Sequence, residues 1–466
     1  MTILLIRYRL KIKIFLCLEF EKGDEIMSKN KKSLLIVISC MLLQAVPYSM
    51  AQNVAPLFIK PLEHAYGFDL QQIGYIFTIG AVAASVVSPI AGKFYKSHPV
   101  KLVMWIGVLI SGSGIVLNAF AKNLGMLLVG SAITQIGAII FSGLGIPYLI
   151  ATNFSATEKA KALGVAFAGG SIGNFFLQPI VEHLLSKFSV HIVYAVCGIS
   201  ALIVGTVVIL LMIHPNKELE ASKKAAKDKA SAKDKASVSA QGEEDKKEDA
   251  AKTEQTNSVA AMQKGIGYKN VLKLKSFWAL SGFYLLVGLA ISALSTQYAD
   301  YFESIGVHKS TIGIIGSAFA VSCLIGNLGG GVLFSKFGVR KTMGIAFILQ
   351  LLALASIFLG LITPSLAIAA GFGWAIFYGL NVFSYMSGPA IMMQNLFGMK
   401  DTSQILGTFS IFFAVGFAAG NVVFGIFVDK LGFTAGWISV LCYVLIGFIG
   451  LLSVMSGIIK KDYANK

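Results

Sequence analysis

Trp374, Tyr378, Asn381 and Tyr385 follow one another at steps of four, three and four, the spacing that lines side chains along one face of a helix. Gln44, Tyr48 and Gln52, four apart with Asn53 alongside, make a second stripe. Two sparser ones are Ser281, Tyr284, Ser292 and Ser295 around Gly288, and Ser131, Gln135 and Ser142. These side chains offer hydrogen bonds from hydroxyls and amides, together with aromatic faces. No nucleophile–base set and no metal-ligand cluster stands out, so the residues argue against an enzyme and call for no metal or cofactor. Each stripe also has a plainer reading. Tyr and Trp near helix ends form interfacial belts, and a buried Asn or Gln often only bonds a neighbouring helix, for about 0.6 kcal/mol on average.

The elements that hold these residues are written in the composition. Of 466 residues 56% are hydrophobic and 13% charged, and the mean hydropathy is +0.74, far more apolar surface than a soluble domain can hide. Apolar runs recur at 33–55, 72–92, 102–120, 124–149, 162–182, 190–213, 276–299, 311–333, 341–361, 365–391, 404–428 and 434–457. A run of about 20 residues crosses a hydrocarbon layer roughly 30 Å thick as a helix, and lipid leaves no other option to a run without strict alternation. The fold class is therefore an all-α membrane protein of about twelve transmembrane helices in two six-helix bundles.

The net charge of +16 would point to nucleic acid in a soluble protein. Here it sits between the spans and reads as topology, with no nucleic-acid partner. Lysines and arginines gather in every second loop: Lys93, Lys96 and Lys101; Lys159 and Lys161; the 214–275 segment; Lys336, Arg340 and Lys341; Lys400; Lys460 and Lys461. The positive-inside rule puts both termini in the cytoplasm, which requires an even number of spans. Cys40, Cys197, Cys323 and Cys442 fall in apolar runs and Cys17 in the leader, which reads as small hydrophobes rather than a disulfide framework.

Residues 1–26 stand outside the pattern. Lys22-Gly23-Asp24-Glu25 back-translates to a purine-rich bacterial ribosome-binding sequence just before Met27, so the leader is expected to be non-native or disordered, with 27–213 as the N-terminal bundle. Between the halves, 214–270 carries Ala226-Lys-Asp-Lys-Ala-Ser231 repeated at once as Ala232 to Ser237, with no aromatic residue until Tyr268. It is expected to be a disordered, charged cytoplasmic linker, and 271–466 the C-terminal bundle.

Internal repetition runs through the spans. Gly326-Asn327 leads through Gly331, Ser335 and Lys336 to Gly338; Gly420-Asn421 leads through Gly425, Asp429 and Lys430 to Gly432, at the same spacing. The copies lie in the eighth and eleventh spans, which run in opposite directions, so they form an inverted repeat. A parallel likeness joins Pro147, Asn153, Gly164 and Gly173-Asn174 to Pro389, Asn395, Gly407 and Gly420-Asn421. Nested three-helix inverted repeats within parallel halves are how alternating-access carriers are built.

From about residue 33 onward the sequence resembles the major facilitator superfamily. Its loop signature is matched by Gly331, Lys336, Gly338, Arg340 and Lys341, with Ser335 in place of the usual aspartate. The copy after the second span, Gly92 to Lys101, is degraded, and the resemblance does not carry a charge latch to it. Pro47-Tyr48-Ser49 with Pro61-Leu62, Ala162 to Gly173, and Asn395 to Lys400 with Gly407 look like the oxalate/formate antiporter and monocarboxylate porter branch. That resemblance implies a small organic anion moved by alternating access through a cavity lined by the first helix of each three-helix unit. The candidate substrate-binding residues are then Gln44, Tyr48, Gln52, Gln135, Tyr284, Trp374, Tyr378, Asn381 and Tyr385. The branch commonly meets its carboxylate with basic side chains in the eighth and eleventh spans, yet 312–335 and 404–428 hold no Lys, Arg or His. No Asp, Glu, Lys or Arg lies in mid-span at all, which favours a monoanionic or neutral solute and disfavours a buried carboxylate relay. The expectation is a monomeric carrier in a bacterial inner membrane, its partners a small solute and the bilayer. An exporter of amphipathic compounds and a non-transporting sensor are the alternatives.

Overall fold

The computed structural model describes residues 29–68, 70–155, 158–214, 265–461 and 463. The leader 1–26 and most of the linker therefore lie outside the described residues. Among the described residues, ten continuous helical stretches are long and apolar enough to cross a membrane. Two of them, Lys309–Ile362 and Thr402–Lys460, turn at an internal glycine, so the ten make twelve spans.

In the N-terminal bundle α1 covers 29–66, α2 Leu70–Ser97, α3 Val100–Asn118, α4 Leu124–Asn153, α5 Lys159–Lys187 and α6 Val190–Met212. In the C-terminal bundle α7 covers Lys275–Thr296, α8 309–337, α9 339–362, α10 Pro364–Phe397, α11 402–431 and α12 433–460. Gly338 (φ 73°, ψ 172°) separates α8 from α9, and Gly432 (φ 81°, ψ 171°) separates α11 from α12. Only glycine takes such angles without steric cost, so the two sequence copies end on one and the same backbone turn. A second symmetry appears at the far end: α1 finishes in a short helix Ile59–Tyr66 closed by Gly67 (φ 68°), and α7 is followed by Tyr298–Ser304 closed by Gly306 (φ 90°).

Packing follows the same two-fold logic, with α1 against α5 and α6, and α7 against α11 and α12. The bundles touch where α2 meets α11 and α5 meets α8, at the end that carries Lys96, Lys161 and Lys336. There the backbones are nearly in contact. A Cβ on Gly92 would lie 2.6 Å from the Ser403 carbonyl oxygen, and one on Gly407 would lie 2.7 Å from that of Ser88. On the other seam Gly331 meets the Ala160 carbonyl and Gly164 meets that of Asn327, at 2.6 and 2.5 Å from the added carbon. Among the described glycines none in the opposite half of these four helices approaches the other bundle. The close glycine contacts between the bundles are thus gathered at the basic end.

One expectation about the linker changes. From Gly265 on, the chain is seated on the C-terminal bundle: Gly265 bridges to Gly398, Ile266 N–H donates to the Phe397 carbonyl (3.0 Å), and 268–271 form a helical turn. Residues 265–270 thus belong to the bundle's basic face.

Candidate functional site

Three of the four helices expected to face the seam between bundles are broken. α1 is π-wound from Gln44 to Asn53 around Pro47, α4 is π-wound from Ile139 to Leu144 ahead of Pro147, and α10 passes through a 3-10 segment Asn381–Ser384 ahead of Pro389. A proline withdraws one N–H from the ladder and crowds the carbonyl four residues back. Two carbonyls within the α4 and α10 breaks also accept from tyrosines. Tyr95 donates to the Ile140 carbonyl (2.6 Å) and Tyr284 to that of Ser384 (3.1 Å). Discontinuous helices of this sort recur at carrier binding sites because they free backbone and helix-end dipoles at mid-depth.

The N-terminal side of the seam is an amide and hydroxyl cluster. Gln44 Nε2 donates to Ser142 Oγ (3.0 Å), tying the two π-segments together. Ser49 donates to the Gln44 carbonyl (3.0 Å), and Asn53 Nδ2 donates to Ser49 Oγ (3.0 Å) and to the Gly170 carbonyl of α5 (3.4 Å). Gln135 of α4 donates to the Ala51 carbonyl (3.2 Å) and Gln178 of α5 to that of Asn53 (3.3 Å). Gln44 is buried, Tyr48 and Gln135 are half-buried, and Gln52 is exposed.

The C-terminal side is aromatic. Tyr298 stacks on Trp374 (4.2 Å between centroids), and Phe319 of α8 stacks on both Trp374 and Tyr378 (5.3 Å each). Tyr378 leads to Tyr385 (6.4 Å), Tyr385 to Phe413 of α11 (6.3 Å), Phe413 to Tyr284 (5.2 Å), and Tyr284 to Phe409 (4.7 Å). Eight rings from five elements form one ladder. Tyr385, half-buried, lies at the middle of the ladder.

The expected α10 stripe therefore divides. Trp374 and Tyr378 are fully buried within the ladder, with the Tyr378 hydroxyl donating to the Ile291 carbonyl (3.1 Å). Asn381 does not join them. It opens the 3-10 segment and its Nδ2 donates to Gln350 Oε1 of α9, away from the other bundle, with no exposed surface. Tyr284, also fully buried, is joined to the stripe through Phe413. Of the loop-signature residues, Gly331 packs on α5, Gly338 makes the turn, and Lys336, Arg340 and Lys341 are exposed.

The sequence carried no latch to the end of α2, and the structure has one. Lys96 Nζ meets Asp401 Oδ1 at 2.5 Å, joining α2 to the N-terminus of α11. Burial raises the Asp401 pKa, but the hydrogen bonds from Lys96 and from the Tyr268 N–H, with the charges of Lys96 and Lys400, hold it below the usual carboxylate range. Asp401, Phe319, Phe413, Gln178 and Gln350 all escaped the sequence reading. Phenylalanine in an apolar run gives no signal, whereas the helix breaks, which the sequence reading did not foresee, had an available signal in Pro47, Pro147 and Pro389.

Across known proteins, the model of the Major Facilitator Superfamily matches residues 40–302 and 280–464. The chain belongs to that superfamily. Its relatives include Monocarboxylate transporter 12 of Rattus norvegicus, 21% identical over 429 residues, or 89% of this chain and 84% of the other. The Probable vesicular acetylcholine transporter-B of Danio rerio is 30% identical over 158 residues, 32% of either chain. Among solved structures the superfamily transporter FucP in its outward conformation superposes with a TM-score of 0.56 at 17% identity, covering 91% of this chain and 98% of that one. That likeness concerns the fold. This superfamily member is accordingly a multi-pass membrane transporter for a small molecule.

Proposed function

We propose that this transporter moves a small monocarboxylate-like anion by alternating access, with both termini in the cytoplasm of a bacterial cell and the basic end of the bundles facing inward. The observation that carries the reading is the pairing of an uncharged amide and hydroxyl cluster on α1, α4 and α5 with an aromatic wall on α7, α8, α10 and α11. A single carboxylate is satisfied there by O–H and N–H donors and by helix-end dipoles, without a buried cation. A dianion lacks the second positive partner that burial of two charges demands. The resemblance to the monocarboxylate porter branch, shared by a relative aligned over most of its length, supports the same solute class. No carboxylate lies in mid-span among the described residues, so exchange or facilitated movement suits this site better than a protein-borne proton relay.

Counterflow in proteoliposomes tests it. Monocarboxylates should accelerate entry of labelled monocarboxylate, and dicarboxylates should not; stronger counterflow by dicarboxylates would overturn the reading. Deleting 220–262 separates a carrier from a sensor, since a carrier keeps its counterflow and a sensor whose linker recruits a partner loses its output.

A further inference from the structure

The carboxylate that joins the two bundles also holds the end of the linker. Asp401 Oδ1 takes Lys96 of α2, and Oδ2 accepts the Tyr268 N–H at 3.0 Å. The Tyr268 hydroxyl meets Thr408 Oγ1 at 2.9 Å, almost two turns into α11. Gly265 (φ 114°) lies so near the α10–α11 loop that a Cβ there would stand 2.4 Å from the Phe397 carbonyl oxygen. Asp401 itself is left-handed (φ 57°) with a side chain only 10% exposed. A carboxylate so little exposed needs partners for its charge.

We propose that residues 265–268 form a strap on the basic-end gate, with Tyr268 as a positioning residue: its N–H orients Asp401 so that the second oxygen is presented to Lys96. The inference rests on the alternating-access reading above. When the strap is seated, both carboxylate oxygens are used and the gate is latched. When α2 withdraws, the carboxylate is left poorly solvated and without its cation, a state the strap alone only partly satisfies. Loosening the strap lets Asp401 leave its left-handed position and removes the geometry that Lys96 requires. The linker is thereby wired to the gate, and whatever pulls on the chain upstream of Gly265 shifts the balance between the two access states.

The backbone offers a selective test. Tyr268 is the first residue of its helical turn and Gly267 has φ −64°, ψ 149°, so proline fits at 268 and deletes the N–H without forcing the chain elsewhere. In full-length protein with its native cysteines replaced, Ser403→Cys reports the basic-end seam and Gln52→Cys the opposite opening, by rate of maleimide labelling. Tyr268→Pro should raise labelling at 403 at least fivefold and lower it at 52. Tyr268→Phe, which keeps the N–H, should change either rate less than twofold. Gly265→Ala, which lifts the strap by a different route, should act like the proline variant and guards against that variant failing to fold. Simple loss of stability would raise both rates together, so the opposed shift is the signature. If Asp401→Asn opens the 403 site while both strap variants leave it at the wild-type rate, the strap proposal is wrong. If Asp401→Asn also leaves both rates unchanged, the gate, and with it the alternating-access reading, goes too.

Discussion

The two bundles share a plan and differ in what they turn toward the seam. On the N-terminal side a π-wound α1 is held by amides from α4 and α5, with Tyr48, Gln52 and Gln135 at least partly open. On the C-terminal side the equivalent helices are joined by a ladder of rings, fully buried at Trp374, Tyr378, Tyr284 and Phe409 and half-buried at Tyr385. A duplicated scaffold thus carries a polar half and an aromatic half. Amides discriminate by direction, because an unmatched buried donor or acceptor costs about 1–3 kcal/mol. Stacked rings discriminate by shape and yield little.

Substitutions that blur this contrast should have graded effects. The largest is expected for Trp374→Ala, which opens a hole in the ladder and should cost about 3–5 kcal/mol of stability. A thermal melt in detergent would show it, and a melting temperature within a degree of wild type would mean the ladder is not structural. Next comes Tyr48→Phe, which removes a hydroxyl at the seam without changing the packing. Substrate affinity should fall about tenfold, or 1.4 kcal/mol, in a ligand-induced thermal shift, while the unliganded melt stays put. Asn381→Ala should do the reverse, lowering the stability of the unliganded protein by about 1–3 kcal/mol because Gln350 loses its partner, with affinity moved less than threefold. Equal losses of affinity at 48 and 381 would put Asn381 back in the site. The smallest effect is that of pH on the Lys96–Asp401 latch. The Asp401 carboxyl is held below its ordinary value in the folded protein, so its contribution is full above the ordinary carboxylate pKa of about 3.9 and is lost as pH falls through the depressed value. The stability gap between wild type and Asp401→Asn should be level from pH 8 to 5 and shrink only below about pH 4.

Much of the architecture was legible beforehand because hydropathy and glycine are strong local signals. The repeated pattern ending at Gly338 and Gly432 marked a repeated unit, and the structure closes both copies on one kind of turn, with φ and ψ alike within about 10°. The site was legible only in part. The 3.6-residue period placed Asn381 with Trp374 and Tyr378, but the period says nothing about which neighbour a helix face meets, and Asn381 met α9. Phe319 and Phe413 belong to the ladder by virtue of tertiary stacking, which an apolar run does not advertise. Lys96 and Asp401 are 305 residues apart in sequence, and no local rule pairs them.

The breaks in α1, α4 and α10 have a consequence for how such a chain can change. Insertion into a bilayer responds to summed hydrophobicity over a whole span, and that sum hardly registers whether six or ten residues are wound loosely. On the proposed reading, cargo preference is concentrated in those loosely wound windows, where Tyr95 and Tyr284 donate to carbonyls of α4 and α10. A lineage could therefore trade one solute for another by editing a few positions in each window, while the biogenesis of the protein goes on undisturbed.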